Sequence, residues 1–287
     1  MRAVSFVAMA VMATLAAASR VAAQIALPVK SYQNLNVQIE SLRDNITLYM
    51  GDPQHLLIMD VRPNRFRPRV DYFDQSDAGL RIRDQYVVDH PDYDSLKPAD
   101  RDKSGDAPLE ETWEIRLSPV SPTDFAIRCE RGESTLDFTD FQVRKVQLRA
   151  DETKLSVDFD GQNSIECERF AARVIAGSLE FQHMINARAK EISLDLPDSA
   201  CRLEIVGKEF EGASSINVLN VPAMLQVLVS KKVGLRVTGP AATIAHFQGP
   251  HMSQDGGDWV SQGFDGAKCK VHLTFGSELP KLEVKWE

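Results

Sequence analysis

Residues 145–159 read KVQLRADETKLSVDF and residues 169–183 read RFAARVIAGSLEFQH, and these two stretches decide the fold. They place apolar side chains at equivalent positions 24 residues apart, and three series continue this spacing along the chain. The series are Val146, Phe170, Leu194 and Val218; Leu155, Leu179, Leu203 and Val227; and Val157, Phe181, Ile205 and Val229. Each unit holds two alternations of apolar and polar residues, which predict two half-buried β-strands about nine residues apart.

A repeat of this length is typical of a solenoid, in which each unit packs its apolar side chains against its neighbours. In a β-solenoid, equivalent residues form interior ladders with a spacing of about 4.8 Å. We therefore predict an all-β fold built as a β-solenoid. The alternative is a β-sandwich whose strands fall at a regular spacing.

The rest of the chain also alternates in the manner of strands, for example at residues 35–39 and 113–117. A polar segment over residues 85–111 is rich in aspartate and contains prolines, which predicts an exposed loop or insertion. We divide the chain into an N-terminal β region over residues 24–84, this polar segment, and a repeat domain over residues 112–287.

The N-terminus has the pattern of a signal peptide. A short basic start is followed by an apolar run over residues 4–18, and the small side chains of Val21 and Ala23 precede Gln24. We predict cleavage after Ala23, so that residues 1–23 are a signal peptide and the protein is periplasmic or secreted. The alternative is a membrane anchor, but the run is shorter than the roughly 20 residues that a spanning helix needs.

The formal net charge of the chain is −8, and a leader that holds Arg2 and Arg20 leaves the mature chain more negative still. A negative chain is poorly suited to nucleic acids or anionic membranes. We predict that neither is a partner, and that no segment spans a membrane after signal cleavage.

Four cysteines remain in the predicted mature chain, Cys129, Cys167, Cys201 and Cys269. An exported protein meets an oxidising compartment, so two disulfide bridges in any of three connectivities are open to it. The alternative is four buried thiols packed as small apolar residues. Their wide spacing does not resemble a zinc site, which wants close pairs.

One segment of the polar loop matches the template of a calcium-binding loop. Its oxygen ligands and turn glycine are Asp100, Asp102, Ser104, Gly105, Asp106 and Glu111. Ala107 and Pro108 depart from the template, and the flanks predict loop and strand rather than two helices. A calcium ion is therefore the one cofactor that the sequence suggests, and the alternative is an acidic insertion that matches by composition.

No motif of nucleophilic catalysis or phosphate binding is present, and the six histidines are scattered along the chain. The best enzymatic alternative is a carbohydrate-active enzyme on a β-helix, which needs paired carboxylates. Its candidate residues are Asp137, Asp140, Asp158, Asp160 and Asp195. Outward positions on strands explain these acids equally well.

The motifs of the repeat domain resemble the toast-rack proteins, which are similar to the C-terminal domain of LiaF-like proteins of the cell-wall-antibiotic response. They are WEIRLSP at 113–119, FAIRCERGESTLDF at 125–138, AGSLEF at 176–181, EISLDL at 191–196 and LEVKW at 282–286. The resemblance implies a right-handed, single-stranded β-helix-like fold without enzymatic activity. The sequence departs from the family near Glu152, Asp198 and Ala223, where members tend to have glycine.

Together these features predict a non-catalytic envelope protein rather than an enzyme. It would be a structural or interaction module linked to envelope stress or surface assembly, with an envelope protein or glycan as partner and self-association as a further option. The alternatives are a periplasmic carbohydrate-active enzyme and a calcium-stabilised adhesin.

Overall fold

The computed structural model of the protein describes residues 23–29, 32–42, 44–62, 68–73, 77–84, 88, 111–208, 212–220, 222, 224–240, 251–277 and 282–287. Apart from the single helical residue Val88, the regular structure of these residues consists of β-strands and two short 3-10 helices, Met184–Ala187 and Phe264–Gly266. The all-β prediction is therefore confirmed. Of the predicted signal peptide, only Ala23 lies within the described residues.

The strands, in chain order, are β1 (Ala23–Pro28), β2 (Asn34–Ser41), β3 (Asn45–Met50), β4 (His55–Arg62), β5 (Arg69–Phe73), β6 (Asp77–Arg83), β7 (Thr112–Leu117), β8 (Pro122–Cys129), β9 (Gly132–Asp137), β10 (Gln142–Asp151), β11 (Thr153–Asp158), β12 (Cys167–Ile175), β13 (Ser178–Phe181), β14 (Ala189–Asp195), β15 (Ala200–Ile205), β16 (Gly212–Val218), β17 (Met224–Val229), β18 (Val233–Thr238), β19 (Met252–Asp255), β20 (Asp258–Ser261), β21 (Cys269–Phe275) and β22 (Leu282–Trp286). They form two large sheets. Sheet A has the order β1-β4-β7-β3-β9-β11-β13-β15-β17-β22, and sheet B has the order β19-β20-β18-β21-β16-β14-β12-β10-β8-β2-β6-β5.

The chain passes back and forth between the sheets, so that a strand of sheet B is followed by a strand of sheet A. We call each such pair a unit. In spatial order the units are β6–β7, β2–β3, β8–β9, β10–β11, β12–β13, β14–β15, β16–β17 and β21–β22. Equivalent strands of neighbouring units pair in parallel, and alternate side chains therefore point into a shared interior.

Over the three steps from β10 to β16, the parallel register agrees with the 24-residue spacing at two and departs from it at one. Val146 lies opposite Phe170, and Leu194 lies opposite Val218, each 24 residues on. Between β12 and β14 the offset is 22 residues, so Ala172 rather than Phe170 lies opposite Leu194. The shift is even, and strand side chains alternate with a period of two, so the apolar residues still face inward.

The core is one cluster of buried apolar side chains between the two sheets. Phenylalanines stack along it from unit to unit, with ring centroids 5.2 Å apart for Phe138 and Phe159 and 6.0 Å apart for Phe159 and Phe181. Phe170 reaches Phe181 from the opposite sheet at 4.6 Å. Each large ring is covered by its neighbours above and below, so the interior is a continuous ladder.

The two ends of the stack depart from sequence order. At one end, β2–β3 lies between β8–β9 and β6–β7. Beyond β6–β7, the antiparallel strands β4 and β1 extend sheet A and the antiparallel strand β5 extends sheet B. At the other end, β21 lies between β16 and β18, and the antiparallel strands β20 and β19 extend sheet B beyond β18. Strands from before and after the polar segment 85–111 thus share both sheets.

The four cysteines are reduced, buried thiols that belong to four different units. Burial raises the pKa of Cys129 and of Cys167 to about 12, and burial also raises the pKa of Cys201. A thiol in such a place behaves as a small apolar residue. Among the described residues, no helix has the length and apolar character to cross a membrane.

Candidate functional site

The outer face of sheet B carries its side chains in straight rows, because the central strands pair in parallel and in register. We call the central one the middle row. It consists of small or neutral polar residues, namely Gln38, Ala126, Gln147, Ala171, Ser193, Asn217 and Thr274. At about 4.8 Å per strand, this row extends for roughly 30 Å across the sheet.

Two rows of charged and polar side chains flank the middle row, each displaced by two residues along the strands. The first flanking row consists of Asn36, Asp124, Lys145, Arg169, Glu191, Ser215 and His272. The second flanking row consists of Glu40, Arg128, Arg149, Arg173 and Asp195. Cations therefore concentrate on both sides of the middle row at β10 and β12.

A shallow groove of about 330 Å³ lies on this face. It is lined by Asn36, Val37, Gln38, Asp124, Phe125, Ala126, Lys145, Val146, Gln147, Arg169 and Ala171. Ala126 and Ala171 stand on either side of Gln147, and their short side chains leave the space between the flanking rows open. The volume is at the lower end of the range of about 300–1,000 Å³ that is typical of ligand sites.

Two of the cations beside the middle row are paired with carboxylates of neighbouring strands. Lys145 Nζ lies 2.9 Å from Glu168 Oε2, and Arg173 Nη1 lies 2.8 Å from Asp195 Oδ2. Arg169 is exposed, and no described residue forms an ion pair with it. Surface pairs of this kind contribute little to stability, so their cations can interact with a ligand at a small cost.

Arg144 lies at a register shift in β10 and fixes the far side of the groove. Its Nε and Nη2 donate to the two carboxylate oxygens of Asp124, at 2.7 Å and 2.6 Å. This paired geometry removes most of the negative charge of Asp124 from the groove. The remaining character of the groove at β8, β10 and β12 is cationic.

The outer face of sheet A has the opposite character. Its outward carboxylates are Asp60, Glu114, Glu133, Asp137, Asp158, Glu180, Glu204 and Glu283, and its outward cations are Arg62, Arg116, Lys154, Arg202 and Lys285. Lys154 pairs with Glu133 at 2.5 Å and Arg202 pairs with Glu204 at 2.7 Å. The outer face of sheet A thus carries an excess of carboxylates, whereas the cations of sheet B cluster at β10 and β12.

The acids proposed for a carbohydrate-active enzyme do not converge on one site. Asp158 ends β11 on sheet A, whereas Asp195 ends β14 on sheet B. Asp137 and Asp158 are neighbours in sheet A, but each accepts a local hydrogen bond, from the Thr139 amide at 2.9 Å and from His183 Nδ1 at 2.7 Å. These bonds give both carboxylates structural roles.

His183 stands next to Asp158 in the connection after β13. It adopts a left-handed φ of 48°, and the hydrogen bond with Asp158 raises the pKa of the imidazole. Asp160 and Glu204 act in the same direction. The pair closes the turn between two units, since Asp158 and His183 belong to successive units.

Three buried carboxylates meet where β2 turns into β3, and the sequence analysis did not single out two of them. Asp44, Asp84 and Glu111 are each at most 3 % exposed. Burial raises the pKa of Asp44 to about 7, and the hydrogen bond from Ser41 Oγ, 2.7 Å away, opposes this rise. Glu111 is the last residue of the predicted calcium loop, and its amide donates to Asp44 Oδ1 at 3.3 Å.

The other residues of the calcium template, Asp100, Asp102, Ser104 and Asp106, lie outside the described residues. Within the part of the chain that the structure describes, no group of three or more histidine, cysteine, aspartate or glutamate side chains has the arrangement of a metal site. The calcium site therefore stays a prediction.

Comparison with known proteins gives distant similarities of fold. No family model matches the chain, and no curated protein matches it. Solved structures that resemble it include a "putative cell adhesion protein" from Clostridium sporogenes, with a TM-score of 0.41 and 12% identity, covering 93% of this chain and 100% of that one. Another is a "putative adhesin" from Bacteroides fragilis, with a TM-score of 0.37 and 8% identity, covering 93% of this chain and 98% of that one. At TM-scores this low the similarity carries no argument about function.

Proposed function

We propose that the protein is an exported, non-catalytic binding protein of the cell envelope, built on a β-solenoid of the toast-rack type. The partner binds along the outer face of sheet B, across the strands. The observation that carries this proposal is the groove between the first flanking row and the middle row, which Lys145 and Arg169 line, with Arg149 and Arg173 beyond the middle row.

The architecture suits such a role because the rows are rigid. Each outward side chain stands on a strand that is hydrogen-bonded to both neighbours, so its position is set by the sheet rather than by a loop. A stack of units presents an extended surface, which is the common use of repeat folds in binding. A non-catalytic role agrees with the structural hydrogen bonds of Asp137 and Asp158.

Filling the groove tests the proposal. Ala171→Trp places an indole between Gln147 and Ser193 on the outer face of sheet B, where the side chain has room to project outward. We expect retention on isolated envelopes of the producing cells to fall at least about tenfold, because the ligand loses its contact with the floor of the groove.

Ser156→Trp is the matched control, because Ser156 is outward on β11 in sheet A. It should retain the affinity of the unaltered protein, with both variants matched in thermal stability. Equal retention of the two variants would show that sheet B is not the binding face.

A further inference from the structure

We infer that the groove on sheet B takes a linear, negatively charged polysaccharide, whose chain lies along the middle row with its acidic groups between the two flanking rows. This inference rests on the proposed function and names the class of its ligand. Three observations support it, namely the placement of the cations, the chemistry of the middle row and the direction of the rows.

The cations stand where an anionic chain in the groove would meet them. Lys145 and Arg169 are adjacent in the first flanking row, and Arg149 and Arg173 are adjacent in the second. The two rows are four residues apart along each strand, about 13 Å, which leaves a sugar ring room between them. Arg169 is exposed and unpaired among the described residues, so it is the cation most available to a ligand.

The paired cations also retain donors. Arg173 gives Nη1 to Asp195 at 2.8 Å, and Arg149 gives Nη2 to Asp151 at 3.4 Å. A guanidinium carries five N–H donors in a planar fork, so both residues have further donors for a carboxylate or sulfate. The acids thus orient the guanidinium groups without exhausting them.

The middle row supplies the contacts that a sugar needs beyond charge. Gln38, Gln147 and Asn217 present amides, which both donate and accept, and Ser193 presents a hydroxyl; the Gln38 Oε1 also accepts from Arg81 Nε at 2.7 Å, so Gln38 offers mainly its Nε2 donors. Neutral groups of this kind match the hydroxyls of a sugar ring. Ala126 and Ala171 provide the flat floor between them.

The rows favour a polymer over a compact ligand. Equivalent positions recur at each strand, about 4.8 Å apart, so a chain lying across the strands meets the neutral side chains of the middle row at successive steps and the paired rows of cations at β10 and β12. The amides of Gln38 and Gln147 are two strands apart, which is about 9.6 Å.

A polysaccharide fits this face better than a nucleic acid. Proteins that bind single strands stack the bases on aromatic side chains. The outward positions of the described strands β2, β8, β10, β12, β14 and β16 hold no aromatic residue.

The experiment measures binding of the full mature chain to an oligogalacturonate by calorimetry, with the fully methyl-esterified oligomer as the uncharged comparison. We expect binding to the acid form that weakens as salt rises, and at least about tenfold weaker binding to the ester. The double variant Lys145→Gln/Arg169→Gln should lose about tenfold or more in affinity for the acid form.

The matched control is Lys154→Gln/Arg202→Gln, which removes two cations from the outer face of sheet A and should change the affinity less than about twofold. Equal binding of acid and ester, or equal affinity of the two double variants, would overturn the inference. Binding of polyphosphate as strong as that of the oligogalacturonate would overturn it too, because charge alone would then suffice.

The outcome also separates this inference from the proposed function. If no acidic oligosaccharide binds while Ala171→Trp still loses its retention on envelopes, the ligand class is wrong and the binding face is right. If Ala171→Trp and Ser156→Trp are retained equally, the binding face itself is wrong.

Discussion

The two edges of the stack, where the chain crosses between the sheets, follow different rules. On the turn edge, from sheet B to sheet A, equivalent positions in the central units are always nine residues apart, as from Lys145 to Lys154 and from Arg169 to Ser178. On the return edge, from sheet A to sheet B, the connection after β13 is two residues shorter than its neighbours. The turn edge therefore sets the register, and differences in the length of the units occur on the return edge.

The turn connections all have the same length because the backbones of successive turns are in close contact. A Cβ at Gly177 would lie 2.3 Å from the Thr153 carbonyl oxygen of the preceding unit, so only glycine fits there. Thr153 Oγ1 and Ser199 Oγ donate to the carbonyls of Cys129 and Val174, at 3.3 Å and 2.8 Å. These bonds tie each turn to the one before it.

The return edge is held by buried asparagines instead. Asn163 bonds with both backbone groups of Val143, its Nδ2 donating to the carbonyl at 2.7 Å and its Oδ1 accepting from the amide at 3.0 Å. Asn186 donates to the Phe159 carbonyl at 2.7 Å and accepts from the Lys208 amide at 2.7 Å. A side chain can follow a shift in the backbone, which explains why this edge tolerates units of different length.

Changes of length give the sharpest test of this comparison. One glycine inserted after Gly177 moves β13 by one residue, which turns Leu179 and Phe181 out of the core. We expect the unfolding free energy to fall by at least about 4 kcal/mol, the cost of losing a large core side chain.

The matched insertion is Gly-Ser after Gln182, which restores the return connection to the length of its neighbours. It should cost about 1 kcal/mol or less, since loop closure depends weakly on length. Urea denaturation of both variants measures the difference. Similar losses on the two edges would refute the distinction between them.

The unfolding free energy should depend on pH through Asp44, which lies on the turn edge. Its folded pKa of about 7 exceeds the ordinary aspartate value of 3.8, so the folded state binds more protons between these values. The unfolding free energy should therefore fall as pH rises from about 4 to about 7, by up to about 4 kcal/mol. Asp44→Asn should flatten this profile in urea denaturation, and an unchanged slope would assign it to other groups.

Removal of one asparagine tests the return edge. Asn186→Ala leaves buried carbonyls and an amide without their partner, and we expect a loss of about 3 kcal/mol. Gln182→Ala, in the same connection, serves as the control and should change the unfolding free energy by less than about 0.5 kcal/mol. A small effect at both positions would mean that the amide ladder does not hold this edge.

Relief of backbone strain gives a smaller and stabilising effect on the turn edge. Glu152, Ala176 and Asp198 have left-handed φ values of 52°, 52° and 55° at equivalent turns. Ala176→Gly should raise the unfolding free energy by about 0.5–1 kcal/mol, because glycine adopts this region freely. Ala171→Gly, within a strand, should lower it by a similar amount. Thermal melts of the two variants should therefore shift in opposite directions.

The smallest effect should come from His183 on the return edge. Asp158 raises the folded pKa of His183, so this pair stabilises the protein fully below the unfolded pKa and loses that contribution as pH rises through the folded pKa. Asp158→Asn should lower the pKa of His183 in an NMR titration, with little change of stability. An unshifted titration would show that the pair does not control the imidazole.

The strands and the inward face could be predicted from the sequence, because alternation and the repeat are local patterns. The two-residue offset at Ala172 could not, since an even shift leaves the alternation unchanged. The order of the end units was also hidden, because the pairing of β2 with β8 joins residues 88 apart in sequence. No local signal encodes such a contact.

The candidate binding face could not be seen in the sequence for a related reason. Lys145, Arg169 and Gln147 look like ordinary outward residues until the register places them side by side. The enzymatic alternative fails in the opposite way. Asp158 and Asp195 are the residue type that a carbohydrate-active enzyme needs, but they stand on opposite sheets. The calcium loop at residues 100–111 stays a prediction, to be tested by melting with calcium and with a chelator.

The four buried thiols make it possible to measure local unfolding of the protein at four separate places. Cys129, Cys167, Cys201 and Cys269 each sit in a different unit, and their burial keeps them unreactive while the unit is closed. The rate at which each one is alkylated therefore counts how often its stretch of the molecule exposes itself. Opening that spreads from the two ends of the stack would label Cys167 last, because its strand β12 lies farthest from the edges of the sheets, whereas opening of the whole molecule at once would label the four together.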